Sequence, residues 1–259
     1  YDNIPSGNSF SGLLNVDVQD PYHDKHNIHI FLKGLGYNQC YSNSLQSETI
    51  SRYNGNSVNA INPQSDKMTH LRTSLIPGLI EALNYNINND RKDIQLFEMG
   101  NVHIEEGKVR EEHMVVSGIL YGLSCPESIH EQGKVKNHSI FTVKGHMETL
   151  MTSIIQRNIK IKLENDSLFM PGFSISHKKI MLGTFGKISD SFIKDALHSD
   201  LQDAYGFELM TDPLLKSLKE GTLYIPITKF PIIERELNFL LTNTLDSGEI
   251  MTCIKDSGK

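Results

Sequence analysis

The segment Leu71–Gly100 constrains the fold more than any other part of the chain, because a helix-forming pattern runs directly into a strand-forming one. Apolar side chains recur at every fourth position, at Leu75, Leu79, Leu83 and Ile87. This spacing predicts a helix with one broad apolar face. Thr73 or Ser74 can cap its first turn, and Pro77 suits that turn because no backbone N–H is needed there.

Residues 94–99 predict a β-strand that carries a carboxylate on an apolar face. Successive side chains of a strand alternate between its two faces, so Ile94, Leu96 and Glu98 share one face. A carboxylate among apolar neighbours is either part of a functional site or a structural acid with a partner of its own. The local pattern leaves both interpretations of Glu98 open.

A second acid, Glu208, lies inside the strand that is predicted over residues 204–210. Burial of a carboxylate is costly unless a donor pairs with it, so we expect each acid to meet a donor. Arg72 and Arg235 are the candidate partners. Acids with perturbed environments gather at catalytic sites but also occur in structural networks, so neither role is excluded.

The composition narrows the class of protein. The 259 residues are 38% hydrophobic and 22% charged, and they contain no apolar run of the roughly 20 residues that a membrane span needs. The net charge of −6 predicts weak nucleic-acid binding by this chain alone, because domains that bind nucleic acid are usually basic. Three widely spaced cysteines predict neither a disulfide framework nor a metal knuckle, which indicates a reducing cytoplasm. The chain opens without Met, and we expect a fragment of a longer protein.

Neither metal binding nor phosphate binding is predicted from local motifs. His23, His26 and His29 follow one another at steps of three residues in a predicted helix. Two such steps rotate by about 240° around the helix axis, so the three rings do not converge on one ion. Gly34 and Gly36 follow that helix instead of preceding it, which predicts a helix C-cap and not a phosphate-binding loop.

The remaining patterns predict hairpins interspersed with helices. Helices are predicted over residues 20–33, 141–155, 189–197, 212–218 and 247–255. Strands are predicted over residues 38–45, 58–61, 102–104, 113–121, 159–163, 173–176, 179–187, 204–210 and 234–242. Hairpins imply antiparallel pairing. We therefore predict an α+β fold in which helices flank an antiparallel sheet.

A series of short motifs occurs in order along nearly the whole chain. They are YDNIP at residues 1–5, LGY at 35–37, NP at 62–63, LRTSLIPGL at 71–79, LFEMG at 96–100, VKG at 143–145, YGFEL at 205–209, ITKFP at 227–231 and REL at 235–237. No single motif is specific. Together they resemble the C-terminal part of the β subunit of the bacterial phenylalanyl-tRNA synthetase family.

The resemblance implies a fold like that of the class II aminoacyl-tRNA synthetases. Residues 1–19 would be the tail of a preceding domain and a linker, residues 20–221 a catalytic-like core domain, and residues 222–259 the truncated N-terminal part of a ferredoxin-like anticodon-binding domain. The family motif of that last part would be Lys229, Phe230, Pro231 and Arg235. The predicted helix at residues 20–33 would belong to the motif used for subunit contacts, with an expected interface formed by Ile28, Phe31, Leu32 and Leu35.

Two departures from the family pattern imply that the domain is not catalytic. A working class II site has one arginine two residues before the glutamate of its second motif and another directly after the glutamate of its third. The corresponding residues of this chain would be Leu96 and Leu209. Leucine supplies neither bidentate phosphate contacts nor a cation to stack on adenine. Arg72, Glu98 and Glu208 would then line a vestigial pocket without catalytic or metal-binding residues.

The resemblance also implies partners. This chain would belong to the cytoplasmic α2β2 ligase that charges tRNA(Phe) with phenylalanine, and it would serve there as a non-catalytic scaffold that docks the α subunit and supports the tRNA. ATP and Mg²⁺ would be used by the holoenzyme, and this chain would need no cofactor. Two alternatives stay open: a class II-like protein with its own ATP or amino-acid site between Glu98 and Glu208, and a regulatory paralogue.

Overall fold

A computed structural model describes residues 3, 21–51, 53, 55–107, 109–124, 136–155, 159–197, 201–217, 233–240, 245 and 247–257. The chain divides into two compact units, Tyr1–Glu220 and Gly221–Lys259. The helices of the first unit are α1 (Pro21–Gly34), α2 (Glu48–Ser51), α3 (Ile76–Asn88), α4 (Ile140–Ile154), α5 (Asp190–Leu197) and α6 (Thr211–Lys216). Its strands are β1 (Asn38–Gln39), β2 (Leu45–Gln46), β3 (His70–Leu71), β4 (Ile94–Glu106), β5 (Val109–Tyr121), β6 (Lys160–Leu163), β7 (Phe169–His177), β8 (Ile180–Ile188) and β9 (Tyr205–Met210).

A seven-stranded sheet in the order β1-β4-β5-β9-β8-β7-β6 organises the first unit. All neighbouring strands in it pair antiparallel except β1 and β4, which pair in parallel. Strands β2 and β3 form a separate antiparallel pair. The predicted α+β architecture with a mainly antiparallel sheet is therefore confirmed, and the parallel edge strand β1 is an addition to it.

Helices cover both faces of this sheet. On one face, α1, α4 and α6 pack against Phe97, Val116 and Phe207 in one apolar core. On the other face, α2, α3 and α5 pack against Leu96 and Ile119 in a second core. Successive side chains of β4 thus enter opposite cores, as the alternation of a strand requires. The sheet is sandwiched between two helical layers.

The segment Leu71–Gly100 forms the predicted helix and strand, with two differences. The N-cap of α3 is Leu75, with no hydrogen bond from its own side chain. The Ser74 hydroxyl instead accepts a hydrogen bond from the Ile76 N–H at 3.1 Å. Strand β4 continues to Glu106 and pairs with β5 along its full length, so the strands predicted separately over residues 94–99 and 102–104 are one strand.

Other strand predictions fail where pairing is short. Residues 38–45 form the separate strands β1 and β2 rather than one strand, because β1 joins the main sheet and β2 pairs with β3. Residues 58–61 contribute only an isolated bridge between Asn59 and His70. Each of these segments makes only a few ladder hydrogen bonds.

The apolar face of α1 belongs to the core of its own chain. Ile28 and Leu32 have no solvent exposure, and Phe31 and Leu35 pack against the same core. The prediction that Ile28 and Leu32 form a subunit interface is therefore wrong, because a fully buried side chain offers no surface to a partner. The exposed apolar residues of α1 are Tyr22 and Ile30.

The second unit contains α7 (Ser247–Ser257), which buries none of its residues. Residues 233–240 form no strand, so the strand predicted over residues 234–242 is wrong for the described part of that segment. Arg235 is exposed, and Lys229, Phe230 and Pro231 lie outside the described residues. Within the ranges given above, no helix is both long and apolar enough to cross a bilayer.

Candidate functional site

A row of polar side chains crosses the sheet on the face that carries α3. The strand registers align Glu98 of β4 with Ser117 of β5, Ser117 with Glu208 of β9, Glu208 with Thr184 of β8, and Thr184 with Ser174 of β7. Directly paired residues of adjacent strands lie on the same face of a sheet. The two predicted acids therefore lie in one row, separated by a single strand. We call this row the acidic row; it consists of Glu98, Ser117, Glu208, Thr184 and Ser174.

Glu98 is 1% exposed, and both of its carboxylate oxygens accept hydrogen bonds. The Arg72 guanidinium donates from Nη1 to Oε1 at 2.7 Å. Ser42 donates to Oε2 from its backbone N–H at 3.1 Å and from its hydroxyl at 2.6 Å. Arg72 is itself 4% exposed and donates from Nε to the Asn101 carbonyl at 2.9 Å. The pair is therefore fixed at both ends by further hydrogen bonds.

The absence of a side chain at Gly100 makes room for this ion pair. A Cβ at residue 100 would lie 2.4 Å from Arg72 Nη2 and 3.5 Å from Glu98 Oε1. The first distance is shorter than any van der Waals contact. Gly100 therefore lets the guanidinium pass close to the backbone of β4 and reach the carboxylate.

Glu208 is held by neutral donors. Its Oε2 accepts hydrogen bonds from the Ser117 hydroxyl at 2.7 Å, the Ser74 hydroxyl at 2.8 Å and the Leu75 N–H at 3.0 Å. Burial raises the pKa of Glu208, and these three hydrogen bonds offset part of that rise. The carboxyl is thus held by two hydroxyl donors and one backbone N–H.

The segment Arg72–Leu75 lies over the row and donates hydrogen bonds to both acids. Its arginine pairs with Glu98, while its serine hydroxyl and the Leu75 N–H bind Glu208. Leu96 and Leu209, in the positions that the family pattern gives to nucleotide-binding arginines, are 9% and 0% exposed. A triphosphate requires unpaired cationic donors. These residues do not fit ATP, because Arg72 is already engaged and both leucines are apolar.

Several predicted residues are brought together and others are not. Arg72 contacts Glu98, and Glu208 lies one strand beyond Ser117. Arg235, the other candidate partner of the acids, is an exposed residue of the second unit. The sequence reasoning missed the roles of Ser42 and Ser117, because a serine hydroxyl gives no periodic signal. Only the position of Ser117 within the apolar second half of β5 could have indicated it.

A cavity of about 1000 Å³ lies elsewhere, and Lys92, Asp93, Tyr121 and Asp203 are among its lining residues. Neither Glu98 nor Glu208 lines it. Among the described residues, no group of three or more His, Cys, Asp or Glu side chains is placed to hold a metal ion. Burial and the nearby Glu98 raise the pKa of the Cys40 thiol to about 11, which makes it a poor nucleophile at neutral pH.

A second polar cluster lies on the opposite face of the sheet, between β4 and α4. The Tyr37 hydroxyl and His146 Nδ1 are 3.0 Å apart, and Gln95 Nε2 lies 3.3 Å from His138 Nε2. Burial lowers the pKa of both histidines, and the neighbouring His146 lowers that of His138 further. Both rings are therefore neutral in the folded protein near pH 7.

A sequence model described as "Phenylalanyl tRNA synthetase beta chain CLM domain" matches residues 16–211, which include the whole acidic row. The chain belongs to the phenylalanyl-tRNA synthetase beta chain family. The resemblance to this family that the sequence indicated is thereby confirmed.

Two relatives in the beta chain family illustrate the extent of the match. The phenylalanine–tRNA ligase beta subunit of Bacillus subtilis (strain 168) is 28% identical over 274 residues, which cover 100% of this chain and 33% of that protein. The beta subunit of Listeria innocua is 30% identical over 239 residues, which cover 88% of this chain and 29% of that protein. The chain spans about a third of the length of the curated relatives that it matches.

A solved structure supports the fold of this beta chain family member. The pyrrolysyl-tRNA synthetase of Desulfitobacterium hafniense superposes with a TM-score of 0.56 at 11% identity, over 75% of this chain and 65% of that one. That neighbour has the class II synthetase fold. At so low an identity the likeness shows only that the two chains share a fold over that part of this chain.

Proposed function

We propose that this chain is part of the β subunit of a cytoplasmic phenylalanine–tRNA ligase and acts there as a non-catalytic scaffold. The proposal rests on the observation that side chains of this chain already pair with both acids of the acidic row. Arg72 pairs with Glu98, and the Ser74 hydroxyl donates to Glu208. Adenylyl transfer depends on fixed positive charges around a nucleotide. A row whose arginine is already paired inside the chain is suited to hold a domain together and not to bind ATP.

Catalysis would then belong to a separate α subunit within an α2β2 holoenzyme, and ATP and Mg²⁺ would bind there. The relatives at 28% and 30% identity are named as β subunits of this ligase, which supports a β-subunit role for this chain as well. In this role residues 20–221 form a pseudo-catalytic core domain. Its tasks are to dock the α subunit and to support tRNA(Phe), with weak tRNA affinity when it is alone because its net charge is −6.

Residues 222–259 are proposed to begin an anticodon-binding domain. Within the second unit, Ile233, Leu237, Phe239 and Leu240 are 57–97% exposed. Exposed apolar residues at this density favour a segment that another part of a larger domain covers. Deletion of residues 222–259 from the assembled ligase should weaken tRNA(Phe) binding and leave α-subunit docking intact. Unchanged tRNA affinity after the deletion would remove this assignment.

Docking of the α subunit is proposed at the exposed side of α1, where Tyr22 and Ile30 are 76% and 55% exposed. Sedimentation velocity of the chain with and without α subunit tests it, and we expect a larger complex only in the mixture. Ile30→Asp should weaken the association by about five- to thirtyfold, since a central apolar anchor contributes on the order of 1–2 kcal/mol. Ile180→Asp is the matched control, because Ile180 is 48% exposed in a hairpin of the opposite half of the sheet. A chain that stays monomeric with α present contradicts the scaffold role.

The lack of an ATP site has its own test. Isothermal titration calorimetry of the chain with Mg²⁺–ATP, and separately with phenylalanine, should give no heat of binding. The alternative of an ATP or amino-acid site between Glu98 and Glu208 makes the opposite prediction. ATP affinity that is present in the wild type and lost in Glu98→Ala would establish that alternative and overturn the proposal.

A further inference from the structure

A group of lysines lies at the corner of the sheet where strand β6 forms the outer edge. Lys160 and Lys162 are two residues apart on β6 and therefore share one face of the sheet. Strands β7 and β8 are joined beside them by a two-residue loop, Lys178 and Lys179. Lys160 pairs with Ser176, so this loop begins two residues, or about 7 Å, further along the neighbouring strand. We call Lys160, Lys162, Lys178 and Lys179 the basic corner.

The lysines of the basic corner are not neutralised within the described part of the chain. All four are exposed, and none of them forms an ion pair with a described acid. Lys144 and Lys187, by contrast, each pair with an acid. Glu164, the first acid after β6, is exposed as well and pairs with none of the four. The corner is therefore a local concentration of positive charge on a chain whose net charge is −6.

The hairpin loop of the corner holds a lysine in an unfavourable backbone conformation. Lys178 has a φ of 57°, in the left-handed region that glycine, asparagine and aspartate adopt more readily. Two-residue hairpin loops usually place such residues where φ is positive. A lysine at this position gives the turn less stability than glycine would. The strained position indicates that the exposed charge of Lys178 has a use of its own.

The chemistry of the corner fits a row of phosphates better than it fits nucleic-acid bases. Proteins that bind unpaired bases offer exposed aromatic rings on which the bases stack. Within residues 159–188, Phe169 and Phe185 are buried, and Phe173 packs against the core. Exposed lysines without an aromatic platform instead suit a sugar–phosphate backbone, whose closely spaced charges are bound without regard to sequence.

We propose that the basic corner contacts the phosphate backbone of the tRNA that the assembled ligase holds. This contact rests on the proposed scaffold role and gives its support of tRNA(Phe) a location outside residues 222–259. Lysines bind phosphates as point charges, so the contact adds affinity without sequence preference. The added affinity decreases with salt, because each neutralised phosphate releases counterions. Leu163, Ile180 and Met181 are exposed on the same three strands, which makes an anionic membrane the competing partner.

Fluorescence anisotropy of labelled tRNA(Phe) with the assembled α2β2 ligase, between about 50 and about 200 mM salt, tests the proposal. The fourfold variant Lys160→Gln/Lys162→Gln/Lys178→Gln/Lys179→Gln should bind the tRNA at least about tenfold more weakly at about 100 mM salt. The slope of log affinity against log salt should decrease in magnitude by about 2–4, or near 1 for each lost phosphate contact. The corresponding fourfold Lys→Arg variant keeps the charges and should bind as the wild type does.

A matched pair of double variants controls for the loss of charge as such. Lys178→Gln/Lys179→Gln and Arg91→Gln/Lys92→Gln each remove two adjacent exposed cations from a loop. Arg91 and Lys92 precede β4, near the opposite edge of the sheet from β6. Only the first double variant should weaken tRNA binding. Lysine acetylation of the wild-type ligase, read by mass spectrometry, needs no variant: bound tRNA should protect the basic corner and leave Lys92 reactive.

Unchanged affinity and salt slope in the fourfold Gln variant, equal losses in the two double variants, or no protection of the corner by tRNA each overturns the proposal. Vesicles of phosphatidylcholine and phosphatidylserine, at a ratio of about 7 to 3, test the membrane. Vesicle binding that the fourfold Gln variant loses while its tRNA affinity stays unchanged would assign the corner to a membrane instead. Sedimentation with α subunit separates this outcome from failure of the scaffold role: a wild type that does not assemble refutes that role, whereas normal assembly with unchanged tRNA binding refutes only the contact at the corner.

Discussion

Arg72 and Glu98 form a buried ion pair, and the loss of either residue should lower the stability of the fold. Both side chains are almost fully buried, at 5% and 2% exposure. Removal of one partner leaves a buried charge without compensation, which costs about 3–5 kcal/mol in measured cases. We therefore expect Arg72→Ala to lower the free energy of unfolding by about that amount, as measured by urea denaturation followed by circular dichroism.

The exposed pair between Arg110 and Glu105 is the control for this variant. Their nitrogen and oxygen lie 3.1 Å apart, but the two side chains are 68% and 30% exposed. An ion pair in such contact with water contributes on the order of 0–1 kcal/mol. Arg110→Ala should thus change stability by less than about 1 kcal/mol. Equal losses for Arg72→Ala and Arg110→Ala would show that the acidic row is not a structural centre.

At the scale of the elements, two glycines in different settings should respond in opposite ways to the same change. Gly145 lies inside α4, and a Cβ there meets nothing within 4 Å. Gly145→Ala should stabilise the protein by about 0.5–1 kcal/mol, because glycine is the weaker helix former.

Gly118 lies in β5, where a Cβ would come within 2.5 Å and 2.6 Å of ring carbons of Phe207. Gly118→Ala should destabilise by about 1–3 kcal/mol, since the buried ring has no room to move. Thermal unfolding of both variants distinguishes the signs.

Elements with strong local signals could be predicted, and those set by distant partners could not. The spacing of apolar residues in α3 and α4 determines their inward faces, so both helices follow from the sequence. The hairpin of β4 and β5 is longer than predicted because cross-strand partners such as Glu105 and Arg110 keep charged residues in register. The two-residue strand β1 exists only through its parallel pairing with β4. A local pattern carries no information about that partner.

The same distinction applies to the acidic row. Glu98 stands out in the sequence as an acid in an apolar strand, and its need for a donor follows from the cost of burial. That Arg72 is this donor depends on the residue after β3 lying beside β4, where the His103 N–H donates to the Arg72 carbonyl. The alignment of Ser117 with both acids depends on the register of three strands. The cost of burying a carboxylate predicts that Glu98 and Glu208 need donors. Which residues are those donors depends on the topology of the sheet.

At the scale of the whole molecule, acid should loosen the fold through the cluster of His138 and His146. The pKa of each is lowered in the folded state, chiefly by burial, whereas an unfolded histidine titrates near about 6.5. As the pH falls below 6.5, the unfolded chain takes up protons that the folded chain does not. The stability that these histidines contribute is therefore complete above pH 6.5 and is lost progressively below it. We expect the free energy of unfolding to decrease between pH 7 and pH 5.

A variant separates this contribution from that of other titrating groups. Burial raises the pKa of Glu208, which acts in the opposite direction as the solution is acidified, so the wild-type profile alone is a sum of both effects. His146→Phe keeps a ring beside Tyr37, with which His146 makes an edge-to-face contact, and removes one titrating group. Its loss of stability from pH 7 to pH 5 should be smaller than that of the wild type. Parallel profiles for wild type and His146→Phe would mean that the neutral cluster does not set the acid sensitivity of the fold.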